Sequence, residues 1–335
     1  MRKIDLVYMW VDGNDEAWRQ EKTKYMAIEK GTENLHANAK SEARWRDNDE
    51  LKYALRSAEK FVPWINHIYL VTGFNQIPKW LNTKHPKLTV VPHSAIMPQS
   101  ALPTFNSTSI EMCLANIPGL SECFLLSNDD MFFNRPLTPD FFFDSNGRAL
   151  LRYNKRHTKI KNIGFDIENK CDEYSQIILL SQYKISNIFN KNMYKYKHSH
   201  GIDPYNKSNI KKCLHHPLLE AEISNLTNYK FRHGCQIHRL IFDLYGIIHG
   251  TTIPIRCRTI KQTKCKFWDK IYNTLYKQSI KNSPCYCLDA ETQNLYQCSQ
   301  PIVCINDTPG TTDEMRKHNT KWLNWKFPNK SSFEI

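Results

Sequence analysis

Three apolar runs that each stop at an acidic turn constrain this chain most. Residues 4–11 end at Asp12-Gly13, residues 123–127 end at Asn128-Asp129-Asp130, and Cys304-Ile305 leads into Asn306-Asp307. Apolar, β-branched runs of this kind read as strands, and a run with no polar alternation reads as one buried on both faces of a sheet. Open α/β sheets place ligands outside the carboxyl ends of such strands. The acidic turns are therefore candidate ligand groups, although Asn-Asp also makes an ordinary turn, and Asn306-Asp307 taken alone reads as a turn or helix cap.

Between these runs the period changes. Residues 47–61 predict a helix, with Leu51, Ala54, Leu55 and Ala58 at three- and four-residue spacing and acids in the first turn, where the helix dipole favours them. Residues 67–72 and 88–91 predict strands, 73–82 a loop or short helix, and 107–115 and 237–245 helices. The alternation predicts an α/β fold, a sheet flanked by helices. At 335 residues with 41% hydrophobic side chains, the chain can fill one large domain or two ordinary ones, and we expect one catalytic domain with insertions. Residues 1–150 form its first half and 213–335 complete it. Residues 151–212 are a basic insertion, where Arg152, Lys155, Arg156, Lys159 and Lys161 alternate with Tyr and Asn. Residues 264–280 read as a basic amphipathic helix packed on the core or lying on a membrane surface.

The formal charge of +13 and a pI near 9.1 favour anionic partners: nucleotides, phosphate-containing polymers, nucleic acid or an acidic membrane face. Gly-x-Gly-x-x-Gly and Gly-x4-Gly-Lys are both absent, so phosphate must be held by arginines, a metal or isolated helix ends. Gly-x-Ser-x-Gly and His-Glu-x-x-His are absent too, which argues against an α/β-hydrolase or a zincin. The 11 cysteines are odd in number and show no Cys-x-x-Cys spacing; with no secretory h-region at the start, a reducing cytoplasm is expected. Cys257, Cys265, Cys285, Cys287 and Cys298 match no standard zinc pattern. No window approaches the ~18 apolar residues of a membrane span.

Asn128-Asp129-Asp130 is the best metal candidate, because hard divalent cations prefer carboxylate and carbonyl oxygens. His215-His216-Pro217 and Phe231-Arg232-His233 offer a proton shuttle and a clamp for phosphate charge, against the blander reading of surface or structural side chains. Thr104 and Asn106 could grip a sugar or simply cap a helix. The richest block is 44–57, which gathers Arg44, Arg46, Asp47, Asn48, Asp49, Glu50 and Arg56 at the start of a helix.

Taken in order, these blocks resemble the four conserved regions of the Stealth family, the hexose-1-phosphate transferases of capsule synthesis, which include the animal N-acetylglucosamine-1-phosphotransferase. The first region resembles residues 4–13 and the second 44–57, continuing through Pro63-Trp64-Ile65, residues 68–72, 78–82, 102–111 and 128–132. The third resembles His215-His216-Pro217 with Phe231-Arg232-His233. The fourth resembles residues 304–308 with Phe327-Pro328 and residues 331–334.

The resemblance implies a nucleotide-sugar fold similar to the GT-A glycosyltransferases and transfer of sugar-1-phosphate from a UDP-sugar to an acceptor hydroxyl, with release of UMP. It implies Asp129, Asp130, His215 and Arg232 as catalytic residues, the two aspartates also holding Mg2+ or Mn2+. Trp10, Asp12, Gly13, Arg44, Asp47, Asn48, Arg56, Thr104, Asn106, Asn306 and Asp307 would bind substrate. The implied partners are a UDP-sugar and a glycan acceptor, with peripheral association at the inner membrane face or with capsule machinery, and no nucleic acid. Cys235-Gln236 departs from the family's acidic pair after the third-region arginine, and the gap between His215 and Arg232 is short. The basic insertion, which has no clear family counterpart, is either a guide for an anionic polymer or a solvated face. Two rivals remain: an ordinary glycosyltransferase that releases UDP, and a non-catalytic basic protein that binds nucleic acid or an anionic polymer.

Overall fold

The computed structural model describes residues 2–29, 43, 45–155, 173–198, 201–232, 236–257, 260–261, 285–289, 295–307 and 310–335. Arg44, Arg156, Lys159, Lys161, His233, Cys235, Cys265 and the expected helix at 264–280 lie outside the described residues.

Along the chain come β1 (Ile4–Met9), α1 (Glu16–Ile28), α2 (Glu50–Phe61), β2 (Ile68–Thr72), β3 (Leu88–Pro92), α3 (Ser107–Cys113), β4 (Cys123–Asn128) and β5 (Met131–Phe133). There follow β6 (Ala149–Lys155), α4 (Glu173–Ile188), β7 (Tyr196–His198), β8 (Asp203–Asn206), α5 (Lys207–Leu214), α6 (Glu220–Ser224) and α7 (Leu240–His249). The chain finishes with β9 (Thr252–Cys257), β10 (Ile260–Lys261), β11 (Cys285–Asp289), β12 (Ile302–Asn306) and α8 (Asp313–Lys326).

The central sheet has the order β3-β2-β1-β4-β8; β1 to β4 run parallel and β8 is antiparallel beside β4. The expected α/β architecture is present. Side chains alternate across β1: Ile4, Leu6 and Tyr8 join one core with α2, β12 and α8, while Val7 joins the opposite core with α3, α5 and α7. Both faces are thus covered, which is why β1 and β4 carry no polar alternation. Helix α2 buries Leu51, Ala54, Leu55 and Ala58, the stripe read from spacing.

A second sheet, β10-β11-β12-β5, and a third, β7-β6-β9, complete the frame. The basic stretch at 151–212 is woven into it, because β8 hydrogen-bonds to β4 and β6 pairs with β9. Among the described residues no helix is long and apolar enough to cross a membrane.

Arg56 ties α2 to the end of the chain. Its Nε and Nη2 donate to the two Glu334 carboxylate oxygens at 2.8 and 2.7 Å, and Nη1 donates to the Phe327 carbonyl at 2.9 Å. The guanidinium is 10% exposed and the carboxylate 3%, so this is a buried, bidentate pair. Removing one partner strands the other charge. Arg56→Ala is therefore expected to cost about 3–5 kcal/mol, read as a lowered denaturant midpoint with an unchanged slope. A midpoint equal to wild type would show that the pair contributes nothing.

Candidate active site

Parallel register brings the first two acidic turns together. Met9 lies opposite Asn128 in the β1–β4 pair, so Trp10 to Asp12 leave the sheet beside Asp129 and Asp130. The third turn arrives from the second sheet: Cys304 pairs with Met131, the Ile305 N–H donates to the Asp130 carbonyl at 3.0 Å, and the Cys304 thiol lies 3.4 Å from Asp130 Oδ2. Asn128 to Asp130 are the step by which the chain passes from one sheet to the other.

The fourth contributor is the entrance to α2. Asp49 adopts a left-handed conformation (φ 65°), which Asp tolerates better than most residues, with its N–H held by Asp47 Oδ1 at 2.9 Å. Glu50 folds back to accept from the Asn48 N–H at 2.6 Å and Asn48 Nδ2 at 2.7 Å. Trp45 packs its carbonyl against Gly13, whose N–H donates to it at 2.8 Å. A Cβ on Gly13 would lie 2.0 Å from that oxygen, so only glycine allows this approach. The Asp12 backbone is fixed from the other side by the Gln76 amide, which accepts at 3.0 Å and donates at 2.9 Å.

The result is a crowd of acids. Burial, with neighbouring Asp130, Glu50 and Asp47, pushes the Asp129 carboxyl well above the usual carboxylate range. Burial also raises Glu50 to about 7, with Asp47 adding to it, and raises Asp47 to about 6, with Asp49 and Asp12 adding to it. Beside them, Asn48, Glu50, Asn306, Asp307, Arg316 and Asn319 help line a small, partly open cavity. Asp307 is held by Arg46 at 3.0 Å and Arg316 at 3.2 Å.

A second group forms around α3. The buried Asn106 caps the helix by accepting from the Thr108 N–H at 3.1 Å; its side-chain amide donates to the Phe231 carbonyl at 3.0 Å and to Gln236 at 3.1 Å, and its backbone N–H donates to Thr104 Oγ1 at 3.2 Å. Arg232 donates to Ser107 at the first turn of the same helix. A run of rings links the groups: Trp45 meets Trp18 at 5.3 Å, Trp18 meets Phe105 at 5.5 Å, and Phe105 stacks on Phe231 at 5.2 Å.

Two expected residues stand apart. Arg56 is occupied by Glu334, and the His215 side chain, at the end of α5, is 75% exposed with Glu220 at 3.7 Å. Among the described residues no three carboxylate, thiolate or imidazole groups form a ready-made metal shell. Mg2+ needs none, since it is commonly held by one or two carboxylates together with substrate phosphates, and the crowded Asp129 and Asp130 fit that demand.

Residues 2–30 match the family model described as Stealth protein CR1, conserved region 1, and residues 44–151 match Stealth protein CR2, conserved region 2. A capsular polysaccharide phosphotransferase of Streptococcus pneumoniae is 29% identical across 100% of this chain and 99% of its own. The chain belongs to the Stealth family. It is also 52% identical to an exopolysaccharide phosphotransferase of Streptomyces coelicolor over 43% of its length, spanning 24% of that longer protein. Among solved structures it is similar to the galactosyltransferase LgtC in complex with donor and acceptor sugar analogs, with a TM-score of 0.43 and 11% identity over 98% of both chains.

The matched Stealth regions carry Trp10, Asp12, Gly13, Asp47, Asn48, Thr104, Asn106, Asp129 and Asp130, all placed above. Sequence reasoning left out Glu50, Gln76 and Arg316. Glu50 was visible but read as a dipole-favoured first-turn acid; nothing local marks Gln76 or Arg316, whose partners are distant in sequence or bound by geometry.

The raised carboxyls set a pH dependence. The folded chain keeps protons that the unfolded chain releases near pH 4, so stability is full below that point and is lost as pH rises through about 6 and 7. In chelator, Tm should fall across this window. Asp47→Asn, which keeps the acceptor for the Asp49 N–H, should remove the part centred near pH 6, on the order of 1.4 kcal/mol for each tenfold difference in proton affinity between the folded and unfolded chain. An identical slope in the variant would contradict the crowding.

Proposed function

We propose that this chain transfers sugar-1-phosphate from a UDP-sugar to an acceptor hydroxyl, forming a phosphodiester and releasing UMP, in capsular or surface polysaccharide synthesis. The observation that carries the reading is the convergence of Asp12, Asp47, Glu50, Asp129 and Asp130 where β1 and β4 end, beside a cavity edged by Asn306 and Asp307. The relatives' names as polysaccharide phosphotransferases support it.

In this reading the sheet is GT-A-like and the turn at Trp10, Asp12 and Gly13 receives the nucleotide, with Asp47, Asn48, Asn306 and Asp307 closing the pocket. Arg44 and Arg56 belong to the same block. Asp129 and Asp130 hold Mg2+ or Mn2+, which when bound supplies positive charge to the diphosphate oxygens. The acceptor oxygen bonds to the sugar-proximal phosphorus, the bond from that phosphorus to the UMP oxygen breaks, and UMP leaves.

The acceptor proton passes to a carboxylate of the Asp129-Asp130 pair. Arg232 stabilises phosphoryl charge, and Thr104 and Asn106 set its loop. His215 takes the second acid–base role and has to move from its exposed seat to do so. The work of such a transfer is positioning and charge stabilisation.

Residues 1–150 would form the donor half, 151–212 the acceptor side, and 213–335 the completion. We place the activity in the cytoplasm at the inner membrane face, near capsule machinery, where a net charge of +13 favours anionic surfaces.

Purified protein with a panel of UDP-sugars and Mg2+ or Mn2+ is expected to release UMP in the presence of acceptor; release of UDP would replace the reading with ordinary glycosyl transfer. Asp130→Asn, His215→Ala and Arg232→Ala should each lower turnover by about 100-fold or more in protein that stays folded. Near wild-type turnover in all three would refute the site map.

A further inference from the structure

Away from the acidic turns, the three sheets meet around a small, partly open recess lined by Phe141, Leu150, Arg152, Ile202, Asp203 and Ile302 among others. Arg152 comes from β6, Asp203 opens β8 and Ile302 opens β12. The walls are mostly apolar, with Leu150, Ile202 and Ile302 buried.

Arg152 has an unusual position there. Its guanidinium lies 3.7 Å from the centre of the Phe141 ring, and among the described residues no side chain or carbonyl hydrogen-bonds to it. The one carboxylate in the lining is already engaged: Asp203 accepts from Arg239 at 2.9 Å and lies 3.6 Å from His198. Burial lowers the Arg152 pKa to about 10, which leaves it charged at neutral pH.

A part-buried guanidinium with no anion among the described residues costs stability, and one seated over a ring keeps its N–H donors available to an anion in the recess. Low-dielectric walls strengthen whatever anion enters. A phosphate matches the geometry of this fork bidentately.

We infer that this cavity is a subsite for a phosphate group carried on the acceptor glycan. The inference rests on the proposed function, since successive sugar-1-phosphate transfers leave a chain with one phosphodiester per transfer. Ile302 begins the strand that ends at Asn306, so the subsite lies about 13 Å along β12 from the acidic turns at the usual strand rise. An acceptor running from the reacting centre towards this junction would present an earlier phosphodiester to Arg152. The basic stretch then contributes one seated cation to acceptor recognition.

The test uses the full chain and reads binding directly. The 1H–15N signal of Arg152 Nε is followed while inorganic phosphate, a phosphodiester-linked disaccharide or the matching neutral disaccharide is added at constant ionic strength. Saturable shifts are expected with both phosphate compounds, at lower concentration for the phosphodiester, and none with the neutral sugar. Arg152→Met fills the same space without charge. It should weaken phosphodiester binding, read by calorimetry, by about tenfold or more while raising Tm, the opposite of what loss of a structural arginine does.

No shift in wild type, undiminished binding in Arg152→Met, a lowered Tm with binding intact, or tighter binding of inorganic phosphate than of the phosphodiester would each overturn the subsite. Nucleotide release plays no part in these readings. A failed UMP assay with intact Arg152 binding would sink the proposed reaction alone, and the reverse result would sink the subsite alone.

Discussion

Repulsion among carboxylates at the ends of two neighbouring parallel strands is the constraint from which the rest of this structure follows. Asp129 cannot ionise freely because it is desolvated and lies beside Asp130, Glu50 and Asp47, and the local devices around it hold acids in place against that repulsion. Asn48 spends both donors on Glu50, Asp47 binds the N–H of a left-handed Asp49, and Gly13 lets the Trp45 backbone press close enough to deliver the α2 entrance to the strand ends. Strained backbone and like charges in one cleft are destabilising features that a fold retains where a ligand relieves them.

The second group depends on the first through rings instead of charge. The Trp45–Trp18–Phe105–Phe231 run connects Asp47's segment to the loop that carries Arg232, so the loop is positioned by apolar contacts that salt cannot screen. Asn106 then fixes the loop's backbone, and Ser107 receives the arginine itself. Asp307 is treated differently: Arg46 and Arg316 already neutralise it, so it frames the cavity without adding to its negative potential.

Much of this was legible in the sequence because parallel strands buried on both faces leave continuous apolar runs. Strands β1, β2, β3 and β4 and helices α2 and α3 fall within a few residues of their expected limits; α7 starts three residues later than its period suggested, at Leu240. The turns after β1 and β4 were legible as the ends of neighbouring strands for the same reason. What was not legible is pairing across long separations. Arg56 sits in a block that implies substrate contact, yet its guanidinium is clamped by a carboxylate 278 residues away. His215 sits in another such block, but nothing in its neighbours' spacing reveals that α5 leaves it exposed. The 151–212 stretch read as an insertion because its composition shifts, whereas a strand as short as β8 gives no periodic signal of its own and still closes one edge of the central sheet.

The charge distribution links these parts. A chain with a net charge of +13 draws anions over long range, while the acidic turns repel them within a few ångströms of the strand ends. A nucleotide diphosphate is favoured at such a site only once the acids are neutralised, either by protons or by a cation. Protons achieve part of it below about pH 6 to 7, where Asp47 and Glu50 are held neutral, whereas a divalent ion would act through Asp129 and Asp130. Protons and a bound cation would therefore relieve the same repulsion, and a cation and a diphosphate held there would reinforce one another. Linkage makes that coupling reciprocal: whatever factor the cation adds to diphosphate affinity, the diphosphate adds to the cation's. On the proposed reading, an acidic cleft in a basic protein would thus be a two-component receptor, in which neither ligand is held well by the side chains alone.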